Sequence, residues 1–323
     1  MAILVTGAAG FIGFHTSLAL LSRGEQVIGI DNLNDYYDVN LKHARLAQLE
    51  AYKEFTFHKV DISDKETIFA LFETLDNVTG IVHLAAQAGV RYSLVNPFAY
   101  IATNVMGHTV ILEAARRLPH LAHMVYASSS SVYGSSIDFP FSLADRVDTP
   151  NSLYAATKRA DELIGHTYAH LYKMKLTGLR FFTVYGPWGR PDMAAYIFAT
   201  KIAAGEPISV FNKGEMWRDF TYIDDIVAGV IAALDHPPSG EVPHRVYNLG
   251  NHRCEKLTDF IAEIQKAMGA QAIIRYEPIQ PGDVPKTYAD ISESQRDLRF
   301  EPKTPISEGI PRFITWFKQY HGI

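Results

Sequence analysis

The sequence predicts an α/β protein: a doubly wound parallel sheet with helices on both faces, and a smaller α/β domain interleaved with it. Three observations carry this reading. The chain opens as a short apolar run, a glycine-rich turn (Thr6-Gly7-Ala8-Ala9-Gly10-Phe11-Ile12-Gly13) and an amphipathic stretch ending near Arg23. Strand-like and helix-like segments then alternate six times up to Phe182, the pattern of parallel strands joined by helical crossovers. After Tyr185 the texture changes, through the breaker-rich Gly186-Pro187-Trp188-Gly189-Arg190-Pro191, to shorter and less regular segments.

The first turn spaces its glycines G-x-x-G-x-x-G. Positions without side chains let backbone N–H groups and a helix N-terminus approach a pyrophosphate, so Gly7, Gly10, Phe11, Ile12 and Gly13 form a candidate dinucleotide cradle. The second strand, 26–30, runs into Asp31-Asn32, about 20 residues beyond the turn, where an acid can bond a ribose diol. That acid repels a 2′-phosphate and no arginine follows it, which favours NAD over NADP. A helix over 41–52 and a strand over 55–60 lead to Asp61-Ile62, placed for the adenine edge. A helix N-cap is an equal use for Asp61, because Ser63-Asp64 open the helix that runs to Leu75.

The fourth strand, 80–84, ends in Leu84-Ala85-Ala86, small enough for close cofactor approach. A helix over 97–118 carries Asn104, and a fifth strand over 122–127 delivers Ser128 to Ser131. A long helix over 152–173 then holds Tyr154 and Lys158. Residues i and i+4 share a helix face, and an ammonium beside a phenol favours the phenolate, so Tyr154 is a candidate general base. The sixth strand covers 176–182.

Beyond it the sequence predicts helices over 194–204, 223–234, 256–268 and 306–320, and strands over 208–211, 246–249 and 273–276. The strand at 246–249 is expected to return to the main sheet. With no linker and no repeat, the domains read as interleaved: 1–184 plus about 215–250 for the nucleotide, and about 185–214 plus 251–323 for the smaller unit.

Composition narrows the function. Of 323 residues, 47% are hydrophobic and 20% charged, an ordinary globular balance. Thirty Lys+Arg against 35 Asp+Glu leave a formal charge of -5, which gives no footprint for nucleic acid, although a local arginine cluster can still take a small anion. Cys254 is the only cysteine, so no intramolecular disulfide can form, and the 13 histidines lack ligand spacing, so no metal is expected. The N-terminus has no basic and apolar leader pattern, and the longest apolar runs fall short of the ~20 residues of a membrane span. A cytoplasmic protein that does not enter membranes is the expectation.

Taken together, the glycine turn, Ser129, Tyr154, Lys158 and Arg218-Asp219 resemble, in that order, the extended short-chain dehydrogenase/reductase family, over essentially the whole chain. The resemblance implies a Rossmann sheet and NAD, with Tyr154 as base, Lys158 on the nicotinamide ribose and Ser129 bonded to the reacting oxygen. Sugar-nucleotide dehydratases of the family place an Asp-Glu pair where Ser130 and Ser131 stand, and its decarboxylases usually keep a glutamate at the second position. Three stretches are most similar to UDP-glucuronate 4-epimerases: residues 88–93, residues 181–187 with 190–194, and residues 280–285. UDP-glucose 4-epimerases usually have asparagine for Thr183 and arginine for Gln280.

The resemblance implies a UDP-sugar substrate, with Ser130, Thr183 and Arg190 near a uronate carboxylate, Arg91 adding positive charge, Arg218 on the diphosphate, and Asp283 on the uridine-side ribose or orienting Arg218. It also implies a homodimer through the helices at 97–118 and 152–173. Either Arg91 or Arg190 is equally well read as a surface or salt-bridge residue. A 4-epimerase of UDP-glucose or its N-acetylated relative, and a non-catalytic NAD-binding sensor, are the alternatives.

Overall fold

A computed structural model describes residues 1–280 and 283–323. Of the stretch 280–285 singled out above, Pro281 and Gly282 therefore lie outside the described residues. The first half of the sheet is built from β1 (Ala2–Thr6), α1 (Phe11–Ser22), β2 (Gln26–Asp31), α2 (Val39–Leu49), β3 (Phe55–Lys59), α3 (Lys65–Phe72) and β4 (Val78–His83). β1 is buried along its whole length, as a parallel strand covered on both faces must be. Its alternating side chains divide between two cores: Ile3 and Val5 face one, Ala2 and Leu4 the other.

The next segment corrects an expectation. In place of one helix over 97–118 there is α4 (Pro97–Tyr100), a π-helical stretch (Ile101–Gly107) and α5 (His108–Ala115). Two features accompany the distortion. Asn104 directs its amide out of the helix to the Gln87 backbone and Thr157, and Gly107 sits where a Cβ would come 2.7 Å from the Ile62 side chain. Such bulges tend to occur beside functional sites.

β5 (His123–Ser129), α6 (Leu153–Tyr172) and β6 (Leu176–Phe181) continue the winding. The remaining elements are β7 (Thr183–Tyr185), α7 (Ala194–Ala203), β8 (Pro207–Phe211), β9 (Trp217–Arg218), β10 (Phe220–Tyr222), α8 (Ile223–Asp235), β11 (His244–Leu249), β12 (Glu255–Lys256), α9 (Leu257–Met268), β13 (Ile273–Glu277), α10 (Ser292–Leu298) and α11 (Ile306–His321). The main sheet has seven parallel strands in the order β11-β6-β5-β4-β1-β2-β3, so β11 does return to it as an edge strand. Among the described residues, three small pairs lie outside it: β7 with β10, β8 with β13, and β9 with β12.

One core cluster lies against α1 and α8 and extends to α9 and α11, through Phe14, Ile226, Phe260 and Phe313. The other lies against α3, α5 and α6, through Ile68, Ile111, Tyr126 and Ala169. The C-terminal ends of β1, β2, β4, β5 and β6 share one edge of the sheet, where ligands bind in folds of this kind.

Candidate active site

A cleft of about 940 Å³ runs along that edge, from the glycine turn past Tyr154 to Arg218. At one end, Gly7 adopts φ +73°, and a Cβ there would approach the Ala85 amide nitrogen to 2.8 Å. A Cβ on Gly10 would meet the Gly7 carbonyl oxygen at 2.9 Å, and one on Gly13 would fall on that same oxygen. The turn is therefore packed backbone against backbone. α1 starts at Gly10 without a side-chain cap, which leaves its first N–H groups to face the cleft.

Asp31 ends β2 beside this turn, accepting from the amides of Ala9 (3.2 Å) and Leu33 (2.9 Å). Burial pushes its carboxyl above the usual range, against the pull of Lys42 and of those two amides. Asn32 donates to Asp61 at 2.8 Å. The Asp61 carboxylate also accepts from the amide and hydroxyl of Ser63 (2.8 and 2.6 Å). Burial would raise the Asp61 carboxyl, but the bonds from Ser63 and Asn32 outweigh it and hold it below its ordinary value. Val60 and Ile62 line the cleft on either side of it. The helix cap belongs to Asp64, which accepts from the Thr67 amide, and not to Asp61.

Leu84, Ala85 and Ala86 form the floor after β4. Asn104 stands behind this wall, its amide committed to Gln87 and Thr157, and so fixes the loop after β4 against α6. Its place is that of a brace outside the cleft lining.

Ser129 ends β5 two residues later than the strand was expected to stop, and Ser130 opens a 3-10 turn that reaches Tyr133. The Ser129 hydroxyl accepts the Ser131 amide and donates to the Ser131 hydroxyl, both at 3.1 Å. Ser128, within β5, commits its hydroxyl to Glu162, donating at 2.6 Å. Ser152 caps α6, which projects Tyr154 and Lys158 into the cleft. The Tyr154 ring meets Tyr100 edge-on at 6.0 Å. Lys158 is buried and donates to Asp161 at 2.8 Å.

At the far end, Arg91 and Asp283 form an ion pair at 3.0 Å, and Arg91 lies over the Phe211 ring. Asp283 thus pairs with Arg91 and not with Arg218, whose guanidinium donates to the Trp217 and Pro285 carbonyls. Burial pushes the Arg218 guanidinium below its usual range and the charge of Arg91 adds to this, while Asp283 opposes it. Two arginines and one carboxylate leave a net positive end, suited to an anion. Thr183, on β7, lines the middle of the cleft, and its hydroxyl has no partner among the described residues. Arg190 makes a two-point pair with Asp192, which Tyr36 joins at 3.1 Å from across the cleft.

Three contributors are not among the site residues expected from the sequence. Arg45 of α2 is fully buried and donates to the carbonyls of Ala9 (2.8 Å) and Trp188 (2.6 Å), bracing the glycine turn against the loop before Arg190. Asp219 is fully buried and accepts from the amides of Asn251 and Ala289, with burial pushing its carboxyl up to about 6. Asp161 is the third. Asp161 leaves a signal in its i+3 spacing from Lys158, and Asp219 in the Arg218-Asp219 pair noted above, whereas Arg45 leaves none.

The profile of the NAD dependent epimerase/dehydratase family matches residues 3–250 of the chain. Protein CapI of Staphylococcus aureus is 45% identical over 99% of both chains. UDP-glucuronate 4-epimerase 4 of Arabidopsis thaliana is 47% identical, covering 99% of this chain and 76% of that one. Among solved structures, UDP-glucuronic acid 4-epimerase from Bacillus cereus in complex with UDP-glucuronic acid and NAD superposes with a TM-score of 0.91 at 34% identity, over 99% of this chain and 100% of that one.

Proposed function

Because the chain belongs to the NAD dependent epimerase/dehydratase family, we propose that its cleft performs the NAD-dependent 4-epimerisation of UDP-glucuronate to UDP-galacturonate. The observation that carries this is the continuity of one cleft from the side-chain-free turn, past Ser129, Tyr154 and Lys158, to the arginine end. NAD fits the turn: the close backbone approach at Gly7 and Gly13, the uncapped start of α1 and the Asp31 carboxylate are the groups a dinucleotide needs. Bound NAD supplies the hydride acceptor and donor; everything else falls to side chains of this chain.

Tyr154 takes the proton of the sugar 4-hydroxyl and later returns it, with Ser129 bonded to the same oxygen. Lys158, with three donors and one committed to Asp161, keeps two for the cofactor ribose and the phenolate side. Arg218 holds the diphosphate. Oxidation at C4 makes a β-keto acid of the uronate, which readily loses carbon dioxide. Thr183, Ser130 and Arg190 hold the carboxylate with its C–C bond out of line with the ketone, and stabilised charge there opposes its departure. Ser130 and Ser131 occupy the positions where a water-expelling reaction would need an acid and a base, so the ketone passes on to epimerisation.

For this reading, residues 1–184 with about 215–250 bind the cofactor, and the rest of the chain closes over the UDP-sugar. The product suits acidic polysaccharide synthesis in the cytoplasm. Among the described residues, no helix is long and apolar enough to cross a membrane. The protein works as a homodimer. Supporting this, Phe98 is 82% exposed and Leu171 59% exposed on packed neighbouring helices, with Met106 and Leu163 also uncovered.

Incubation with UDP-glucuronate and UDP-glucose in separate reactions, without added NAD, tests the function. Proton NMR is expected to show UDP-galacturonate, and the purified protein to release NAD on denaturation. Turnover of UDP-glucose alone would overturn the uronate assignment, and no turnover of either would leave a cofactor-binding protein.

A further inference from the structure

We propose that Asp161 is a positioning residue for the epimerase reaction, a fixed counter-charge that holds the Lys158 ammonium and sets the pH window in which Tyr154 and Lys158 work together. The inference rests on the function assigned above. Its basis is an ion pair of 2.8 Å between two side chains that are 5% and 1% exposed, one turn beyond the tyrosine on the same helix.

The neighbouring carboxylate sharpens the contrast. Glu162 is saturated: Ser128 and Arg180 donate to one oxygen, Arg180 and Arg159 to the other. It ties α6 to β5 and β6, a purely architectural duty. Among the described residues, the Asp161 carboxylate has one hydrogen-bond partner, Lys158. Its second oxygen, Oδ1, is buried without a partner among the described residues. A buried carboxylate whose one hydrogen bond among the described residues goes to the lysine of the site acts through that lysine.

The groups facing this pair leave few competitors for proton exchange. On β4 and α5, His83 and His108 stack at 5.3 Å. Burial holds His83 well below its ordinary value and His108 at about 3, and Lys158 adds to both effects, so both are neutral at working pH. On β5, burial raises Tyr126 far above its usual range, with Glu162 and Asp161 contributing. Burial likewise raises Tyr100, which faces Tyr154. Although burial alone would raise Glu162, Arg180 leads the partners that keep it below its ordinary value and ionised. Burial also lifts the Asp161 carboxyl to about 6, against Lys158, so the counter-charge is present above that pH and fades below it. Of the groups packed around the pair, Asp161 is thus the one whose charge changes near neutrality.

Removing the negative charge has one sign at both partners. With asparagine at 161, the Tyr154 phenolate loses a repelling neighbour, so the acid limb of the rate profile moves to lower pH. The Lys158 ammonium loses its counter-ion in a buried place, so the alkaline limb moves to lower pH as well. A shift of about one pH unit is expected for each limb, from unit charges interacting across a partly solvated protein interior. A residue that merely supports the helix would lower turnover or melting temperature and leave both limbs in place.

The test uses the NAD-loaded protein and the variants Asp161→Asn, Asp161→Ser and Asp161→Glu, with kcat for UDP-glucuronate followed against pH. In parallel, the ultraviolet phenolate absorbance of each protein is titrated against a partner that also carries Tyr154→Phe, which isolates the Tyr154 signal without turnover. Both limbs and the phenolate titration are expected to move to lower pH in the asparagine and serine variants, and the glutamate variant to keep the parental profile. Should asparagine prevent folding, the smaller serine, with room for water, carries the same expectation. Limbs that stay in place or move in opposite directions overturn the proposal. If the parent fails to turn over UDP-glucuronate, the assigned function fails instead, and the phenolate titration still decides the role of Asp161.

Discussion

In the proposed reaction, a hydroxyl in the middle of the cleft decides the fate of the keto intermediate. Thr183 presents a hydroxyl without a partner among the described residues between the Ser129 side and Arg190, where the proposed reaction would hold the uronate carboxylate off its departure geometry. Replacing it with valine keeps the shape and removes the hydrogen bond, so folding should be unaffected. The expected result for Thr183→Val is a several-fold larger share of decarboxylated pentose nucleotide among the products, quantified by proton NMR. An unchanged product ratio would remove Thr183 from this role. The residues that sequence reasoning overlooked are overlooked for a physical reason. Arg45 on an amphipathic helix looks like an ordinary solvated charge, because its partners are carbonyl oxygens of Ala9 and Trp188, and carbonyls leave no mark in a sequence.

Elements were legible where a period extends over several turns or a strand is buried on both faces. β1 to β6 and α6 fall within a few residues of where alternation and apolar runs place them; for the inner strands β1, β4, β5 and β6 this is because burial on both faces demands that composition. β7, β9, β10 and β12 were missed, since ladders of two or three residues carry no period. The distortion around Asn104 was equally hidden, as it depends on a side chain reaching Gln87 across the sheet edge. The glycine turn was readable because it rests on the absence of side chains. Its tightest point is Gly13, where a methyl group would coincide with the Gly7 carbonyl oxygen. Gly13→Ala must therefore push α1 away from the turn. Overpacking of this kind costs about 1–3 kcal/mol or more, and here it displaces the first N–H groups of the helix. The variant should melt at lower temperature and purify with little NAD, checked by differential scanning fluorimetry and by the cofactor released on denaturation. A variant that keeps full NAD content would show that the turn is not the cradle.

At the scale of the whole molecule, the cleft depends on helices that are only half covered. The α4-α5 segment and α6 pack against each other and carry Asn104, Tyr100, Tyr154 and Lys158 on their inner faces. Their outer faces leave Phe98, Met106, Leu163 and Leu171 in solvent, the surface on which the proposed dimer closes. A second copy meeting these faces would bury the apolar side chains and stiffen the helices that hold the catalytic pair. Single charges at Phe98 and Leu171 lie outside the cleft lining, so they act first on association. The double variant Phe98→Arg, Leu171→Arg should fall from dimer to monomer mass in sedimentation or light scattering. Its unfolding temperature should also lose its dependence on protein concentration, because association stabilises by mass action. A parent that is monomeric at the same concentrations would refute the dimer. A double variant that stays dimeric would place the interface on another face of the protein.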